Sequence, residues 1–200
     1  SFGNILHDLS RGNSALASRI ITTSPDVSVS TNLGPWVNQR GVFSLDVRND
    51  VFRDEKVASA QKWLRHGGGQ HMELGIAESN LFTMLAALGL SGPIFGTRLL
   101  PVGTLYDPFI ARGLDALNYA CYQDARFMLV ATPAGITLAP EGGAHQSVST
   151  PLIGMGQPGL ISFEPAYADE LATIMKWGFE YMQADDGGSV YLRLSTRMIN

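Results

Sequence analysis

GGGQHMELGIAESNLFTMLAALG, residues 67–89, is the stretch of the chain that decides the fold. Three glycines open it, and a short run with strand character, HMEL, follows. Apolar side chains then recur at helical spacing, at Leu81, Leu85 and Leu88, and apolar residues fill most positions between them, which is typical of a buried helix. Glu78 lies in the first turn of that helix. A lone glutamate at a helix start usually does no more than meet the positive end of the helix dipole.

Strand-like and helix-like patterns alternate on either side of this stretch. The predicted strands are residues 19–23, 71–74, 94–102, 125–132, 160–163 and 190–194. The predicted helices are residues 3–18, interrupted at Gly12, and residues 108–123 and 167–183. This alternation predicts an α/β fold of three layers, in which helices cover both faces of a mostly parallel sheet.

Two parts of the chain carry weaker patterns. Residues 42–66 are ambiguous, and within them the charged run of residues 52–66 is interpreted as a short surface helix. Residues 133–155 are rich in loop-forming residues and contain the sequence PEGGAHQS. No repeat, linker or low-complexity segment divides the chain, so residues 1–200 are expected to form a single domain.

The composition narrows the function classes. Hydrophobic residues make up 45% of the chain and charged residues 16%, which favours a well-buried core and a surface partly covered by a partner. The net charge of −4, without a basic run, argues against nucleic acid or an anionic membrane as a partner. Cys121 is the only cysteine, so no internal disulfide can form, and a cytoplasmic location is expected. No apolar run is long enough to span a membrane.

Several motifs resemble one family. ELGIAESN, residues 73–80, resembles the strand-to-helix motif of transketolase-like thiamine diphosphate enzymes, and deoxyxylulose-phosphate synthases carry a nearly identical GIAE. APEGGAHQS, residues 139–147, resembles the GxDGPTHQ loop of transketolases and those synthases. The run of residues 123–147 resembles the homodimeric pyruvate dehydrogenase first component more closely still, and SVYLRLSTR, residues 189–197, looks like the last strand of the same domain. The resemblance implies the thiamine diphosphate-binding fold and, within it, the central pyrimidine-binding domain.

The chemistry of the cofactor fits these residue types. Thiamine diphosphate becomes a nucleophile when its own aminopyrimidine removes a proton from the thiazolium carbon, and a buried acid at the pyrimidine ring nitrogen favours the tautomer that does this. By position in the motif, the resemblance assigns this catalytic and cofactor-binding role to Glu78. It also implies that His145 contacts the substrate and takes part in proton transfers, a task that histidine suits at neutral pH. Outside this motif, a loop histidine would carry no special function.

Aromatic and arginine positions give further candidates for the cofactor site. Phe109 lies three residues before Arg112, the spacing at which the synthases place the aromatic residue that stacks on the pyrimidine. A core aromatic on an amphipathic helix is an equally good interpretation of Phe109. Tyr106 is the alternative stacking residue. Arg112 is expected to close the pocket or to pair with an acid across an interface.

Three residues are weaker candidates for substrate contact. His71 follows the glycines and is expected to line the same cavity as Glu78. Asp26 and Asn32 lie in the loop after the first strand, where the family often contacts substrate. The residues indicate no metal ligands in this chain.

A second domain of the family, marked by GDG and a downstream asparagine, holds the diphosphate and its magnesium, and the chain contains no GDG. The resemblance therefore implies that the diphosphate-binding and C-terminal domains are absent, and that the isolated chain is inactive. It also implies pairing as a homodimer or with a diphosphate-binding domain, and with a lipoyl acyltransferase in the full enzyme.

Four functions are open at this stage. The likeness of residues 123–147 favours decarboxylation of a 2-oxoacid such as pyruvate. The alternatives are two-carbon transfer between sugar phosphates, as in transketolases or deoxyxylulose-phosphate synthases, and a non-catalytic binding or regulatory module. An unrelated nucleotide binder would use the three glycines at 67–69 as a phosphate loop, although the chain lacks GxGxxG.

Overall fold

An eight-stranded sheet forms the centre of the protein. The structure, a computed structural model, describes residues 1–12, 14–59 and 61–197. The strands are β1 (Ile20–Ser24), β2 (Val42–Phe43), β3 (Arg65–His66), β4 (His71–Glu73), β5 (Leu100–Leu105), β6 (Met128–Ala131), β7 (Leu160–Phe163) and β8 (Ser189–Arg193). Their order across the sheet is β3-β2-β4-β1-β5-β6-β8-β7, and every neighbouring pair is parallel.

Helices connect these strands. The α-helices are α1 (Phe2–Ser10), α2 (Gly34–Arg40), α3 (Val51–Asp54), α4 (Glu78–Gly89), α5 (Ser91–Phe95), α6 (Leu114–Tyr122), α7 (Thr150–Met155) and α8 (Ala168–Tyr181). Short 3-10 helices cover Ala17–Arg19, Asp107–Gly113, Ala139–Glu141 and Gly143–His145. No helix within the described ranges is both long and apolar enough to cross a membrane.

Two apolar clusters, one on each face of the sheet, hold the helices. Successive side chains of a strand point to opposite faces, and in β6 Met128 and Val130 join one cluster while Leu129 and Ala131 join the other. Helices α1, α2 and α8 contribute to the first cluster, and α4, α6 and α7 to the second. The predicted three-layer α/β fold is confirmed, and the sheet built by these eight strands is parallel throughout.

The central stretch folds as predicted, with one difference. β4 ends at Glu73, Gly75 turns the chain with a φ of 68°, and α4 begins at Glu78. The helix buries Leu81 and Leu85 completely, and a buried leucine contributes about 1.5–3 kcal/mol of transfer free energy. Its opposite face is exposed at Ala87, so α4 is not buried all round as its composition predicts.

The glycines before β4 do not form a phosphate loop. They lead into a strand, whereas a phosphate loop leads into a helix whose N-terminal amides bind the anion. Gly69 is instead a packing position, because a Cβ there would lie 2.5 Å from the backbone nitrogen of Phe43 in β2. The nucleotide-binder interpretation is therefore wrong in its structural premise.

Several predicted boundaries are also wrong. The strand predicted at 94–102 begins only at Leu100, because Ser91–Phe95 forms α5 and Gly96, at φ 75°, ends it. The predicted helix 108–123 starts as the 3-10 helix Asp107–Gly113 and becomes α-helical at Leu114, and Gly113 at this junction passes directly against the ring of Phe82.

Two helices are shorter than predicted. The N-terminal helix ends at Ser10, although residue 13 of the predicted span lies outside the described residues. The charged helix predicted at 52–66 is reduced to the single turn of α3, capped by Asp50. None of the residues in α3 is buried, so no packing stabilises a longer helix there. Residue 60, in the same predicted span, is also outside the described residues.

Candidate functional site

A small cavity opens where the chain leaves β1 and β5 and enters α4. Its volume is about 160 Å³. Carboxyl ends of parallel strands meet at this edge, which is where open α/β sheets bind ligands. Five of the residues predicted for the site share its wall: Asp26, Glu78, Tyr106, Phe109 and Arg112. The remaining wall is formed by Pro25, Val27, Ile76 and Leu105.

Glu78 is the acid of this cavity. It is the first residue of α4, where the helix dipole favours a negative charge, and its side chain is only 10% exposed. Its Oε1 lies 3.4 Å from Nη1 of Arg112, whose side chain is 55% exposed. The Glu78 carboxyl is therefore shielded from solvent, whereas the side chain of its partner Arg112 extends into solvent.

Phe109 provides the flat apolar surface. The guanidinium carbon of Arg112 lies 4.1 Å from the centre of the Phe109 ring, a cation–π arrangement. The centroid of the Tyr106 ring lies 5.9 Å from that of Phe109. Phe109 is thus a partly exposed wall residue rather than a core aromatic, and the Arg112 guanidinium covers one face of its ring.

His145 approaches the same aromatic group from the loop before α7. Its ring meets Phe109 edge-on at 5.2 Å between centroids, and Tyr106 at 6.3 Å. Its Nε2 is 3.8 Å from Oε2 of Glu141. Its Nδ1 is buried and has no hydrogen-bond partner among the described residues. His145 contacts the aromatic wall of the cavity but is not one of its lining residues.

His71 lies apart from the cavity, contrary to the prediction that it lines it. The side chain is fully buried, and its Nδ1 is 2.8 Å from Oγ1 of Thr22. Its Nε2 is 3.0 Å from Oγ of Ser28 and 3.2 Å from Oε2 of Glu73. Both ring nitrogens are therefore engaged by the protein itself, which leaves neither free for a ligand.

The Glu73 carboxylate links this buried network to the cavity. Its Oε1 accepts a hydrogen bond of 2.9 Å from the backbone N–H of Asp26, which adopts a positive φ of 65°. Burial acts to raise the pKa of Glu73, but hydrogen bonds from His71 and Ser28, the charge of His71 and the Asp26 amide together hold it below its ordinary value. The network thus fixes the loop that presents Asp26.

Asn32 belongs to a different part of the surface. It lines a separate cavity of about 430 Å³, with Thr132, Pro165 and Arg197 among its neighbours. Its Nδ2 lies 3.5 Å from Oγ of Ser1. The loop after β1 therefore splits the predicted pair, because Asp26 faces the Glu78 cavity and Asn32 does not.

Sequence reasoning missed Asp107, between the two aromatic residues of the cavity. Its side chain is fully buried and accepts hydrogen bonds from Ser147, Thr150, Tyr191 and Arg193. Burial and the negative charge of Asp107 raise the pKa of the Tyr191 hydroxyl. Burial lowers the pKa of Arg193, but the charge and hydrogen bond of Asp107, together with the charges of Glu164 and Tyr191, outweigh burial and raise that pKa. A carboxylate between two aromatic candidates, in a chain with few charges, was the available signal.

Solved structures with this fold include transketolases. The transketolase from Leishmania mexicana is 19% identical, with a TM-score of 0.71 over 96% of this chain and 24% of that chain. A split-gene transketolase, solved as an inactive β4 tetramer, is 21% identical, with a TM-score of 0.66 over 100% of this chain and 50% of that chain. The fold is therefore that of the transketolase-like class.

A family model identifies the chain more specifically than the likeness of fold does. The family model described as pyruvate dehydrogenase E1 component middle domain matches residues 1–198, and the chain belongs to that family. The pyruvate dehydrogenase E1 component of Mycolicibacterium smegmatis is 27% identical over 179 residues, which are 88% of this chain and 19% of that protein. The chain thus spans about a fifth of the length of such relatives. The resemblance found in the sequence is confirmed, and the cofactor of this family is thiamine diphosphate.

The arrangement suits the aminopyrimidine of that cofactor. A shielded carboxyl and an aromatic ring share one wall, and His145, whose Nδ1 has no partner among the described residues, contacts that ring edge-on. Among the residues that the structure describes, no group of three His, Cys, Asp or Glu side chains could hold a metal ion.

Proposed function

We propose that this chain is the pyrimidine-binding part of a thiamine diphosphate-dependent enzyme that decarboxylates a 2-oxoacid, with pyruvate as the first substrate to test. The observation that carries the proposal is that the Glu78 carboxyl and the Phe109 ring line one cavity. An aminopyrimidine requires both features, an acid within reach of its ring nitrogen and a flat apolar surface on which to stack. Family membership supports the choice of a 2-oxoacid.

The residues of the chain prepare the cofactor. Bound thiamine diphosphate supplies a nucleophilic thiazolium carbon for attack on the substrate carbonyl. Glu78 holds a proton at the pyrimidine ring nitrogen, a role supported by its shielding from solvent. Phe109 carries the pyrimidine ring on the face that Arg112 covers, and the Arg112 side chain, being half exposed, moves into solvent to free that face.

His145 serves the substrate side of the site. We infer that His145 bonds a substrate oxygen, a role supported by its contact with the Phe109 ring and by a side chain that is 28% exposed. Histidine exchanges protons readily near neutral pH, so it suits transfers to and from that oxygen. Tyr106 and Asp26 contribute to the wall of the cavity. His71 acts through Glu73 and the Asp26 backbone rather than on the substrate directly.

The rest of the site lies outside this chain. We propose that a separate diphosphate-binding domain holds the diphosphate and its magnesium. The chain spans about a fifth of the length of its relatives, so such a domain would belong to the part of the enzyme that it does not cover. That domain comes from a second copy of the full protein or from a separate chain. The inactive tetramer of a split-gene transketolase supports the need for such a partner. In the full enzyme, a lipoyl acyltransferase would accept the acyl group, and the location would be cytoplasmic.

Substrate assays on the full-length protein test the proposal. The protein, saturated with thiamine diphosphate and Mg²⁺, is offered pyruvate with an artificial electron acceptor, and separately a ketose phosphate with an aldose phosphate. We expect oxidation of pyruvate that depends on both cofactors. Transfer between the sugar phosphates instead would favour the second candidate, ketol transfer, which the transketolase fold suggests. A folded protein inactive in both assays would overturn catalysis and favour a binding module.

A further inference from the structure

Asp107 adjoins the proposed site but does not line it. Tyr106 and Phe109, which flank it along the chain, line the cavity, whereas the Asp107 side chain is fully buried and is not part of the wall. A buried carboxylate is costly unless several donors satisfy it. The mechanism proposed above gives this carboxylate no task.

Four side chains from three segments donate to Asp107. The donors are the hydroxyls of Ser147, Thr150 and Tyr191 and the guanidinium of Arg193. Tyr191 and Arg193 come from β8, whereas Thr150 begins α7. The distances are 2.6 Å from the Thr150 hydroxyl and 3.2 Å from the Arg193 Nη2. Asp107 thus joins the sheet to the loop that precedes α7.

Ser147 is the donor closest to the proposed site. It follows His145 by two residues, and its side chain is buried. Its Oγ donates to Asp107 and accepts a hydrogen bond of 2.9 Å from the backbone N–H of Gly135. Its own N–H donates to the Gly135 carbonyl at 2.9 Å. The loop between these two residues is therefore closed at its base and pinned to Asp107.

The pinned loop fixes one specific distance. The His145 ring lies 5.2 Å from the Phe109 ring, and Phe109 follows Asp107 by two residues in the same 3-10 helix. One carboxylate therefore holds both sides of that contact, the helix with Phe109 directly and the loop with His145 through Ser147. The few exposed contacts of the loop, such as the 3.8 Å pair of His145 with Glu141, fix it less firmly.

We propose that Asp107 is a positioning residue that sets the substrate-side histidine against the cofactor-side aromatic ring. The inference rests on the proposed function, because it assigns those two sides their roles. Loss of the tie displaces His145 while Glu78, on α4, keeps its place. Misplacement of a catalytic group by about 1 Å can cost on the order of a hundredfold in rate.

Three variants of the full-length protein test the inference. Ser147→Ala removes the loop tie and leaves Asp107 its other donors. Asp107→Asn keeps the shape but removes the charge. Ser189→Ala is the matched control, because Ser189, like Ser147, is a buried serine whose hydroxyl both donates and accepts a hydrogen bond. It donates to the Ala125 carbonyl at 2.7 Å and accepts from the backbone N–H of Phe127 at 3.0 Å. Ser189 does not contribute to the cavity wall.

We expect Ser147→Ala to lower kcat for the substrate by roughly ten- to a hundredfold. Proton exchange at the thiazolium carbon of the bound cofactor, followed by NMR, should stay within about twofold of the parent, because Glu78 is untouched. Ser189→Ala should lower the unfolding free energy measured in urea about as much as Ser147→Ala does. It should leave proton exchange and substrate turnover near those of the parent. Asp107→Asn, if this variant folds, should show the same lowered kcat and retained proton exchange as Ser147→Ala. If Asp107→Asn does not fold, Ser147→Ala alone tests the positioning role.

The outcomes separate the two proposals. If the parent is active and Ser147→Ala turns over substrate as fast as Ser189→Ala, the positioning role is wrong and the proposed function still stands. Equal losses of exchange and turnover in Ser147→Ala would show a general structural defect and also overturn it. A parent inactive toward both 2-oxoacid and sugar phosphates overturns the proposed function, and the positioning role falls with it.

Discussion

Replacement of Glu78 by glutamine separates its chemical task from its structural one. Glutamine keeps the size of the side chain but cannot share a proton with the pyrimidine ring. The structural loss is bounded by two contacts of Glu78. The pair with Arg112, at 3.4 Å and with Arg112 half exposed, contributes about 0–1 kcal/mol. The interaction of the charge with the start of α4 adds about 0.3–1 kcal/mol.

The chemical loss should be larger. Removal of a positioned acid–base group lowers the rate by on the order of a hundred- to ten-thousandfold. At 1.36 kcal/mol for each factor of ten, this corresponds to about 3–5 kcal/mol in the activation barrier. Turnover should therefore fall by more than the change in unfolding free energy can explain.

The assay combines three measurements on the full-length protein: proton exchange at the thiazolium carbon, steady-state turnover and urea unfolding. Asp115→Asn is the matched control, since Asp115 is an exposed acid in the first turn of α6 and tests the helix-start contribution alone. His145→Ala should retain exchange and lose turnover. If Glu78→Gln exchanges and turns over like the parent, Glu78 is only a helix-start residue and the proposed mechanism is refuted.

Three further predictions follow from the structure. The 200-residue chain alone should bind thiamine diphosphate only weakly in calorimetric titration with Mg²⁺, and low-micromolar affinity would show that the diphosphate anchor lies within it. Gly113→Ala should lower the unfolding free energy by about 1–3 kcal/mol, because its Cβ would lie 2.6 Å from Cε2 of Phe82, whereas Gly34→Ala, with open space around it, should change stability little. The folded pKa of Glu73 lies below the ordinary value of 4.5, so its charge stabilises the fold above that pH and the contribution is lost as pH falls through the folded pKa. Glu73→Gln should thus be less stable than the parent at pH 7 and approach it in acid, and a constant difference across urea titrations would contradict this.

The sequence alone predicted the layers of the fold and singled out Glu78 as the centre of the candidate site. Periodicity is a local property, so the alternation of strands and helices, and the apolar run that became β6, could be interpreted without coordinates. Glu78 was singled out by its place in a motif that resembles the strand-to-helix motif of the family, and the structure places Tyr106, Phe109 and Arg112 on the wall of the same cavity. Boundaries failed where a contact elsewhere decided them, as at Gly113 against Phe82.

Only the tertiary structure decided which polar residues meet. His71 and Asn32 were both expected at the site. Hydrogen bonds within the protein engage both ring nitrogens of His71, and Asn32 lines a separate cavity. Asp107 looked ordinary and became the centre of a buried cluster, with partners 40 and 84 residues away in sequence at Ser147 and Tyr191. Such contacts leave no periodic trace, because the sheet order, not the chain order, sets which side chains become neighbours.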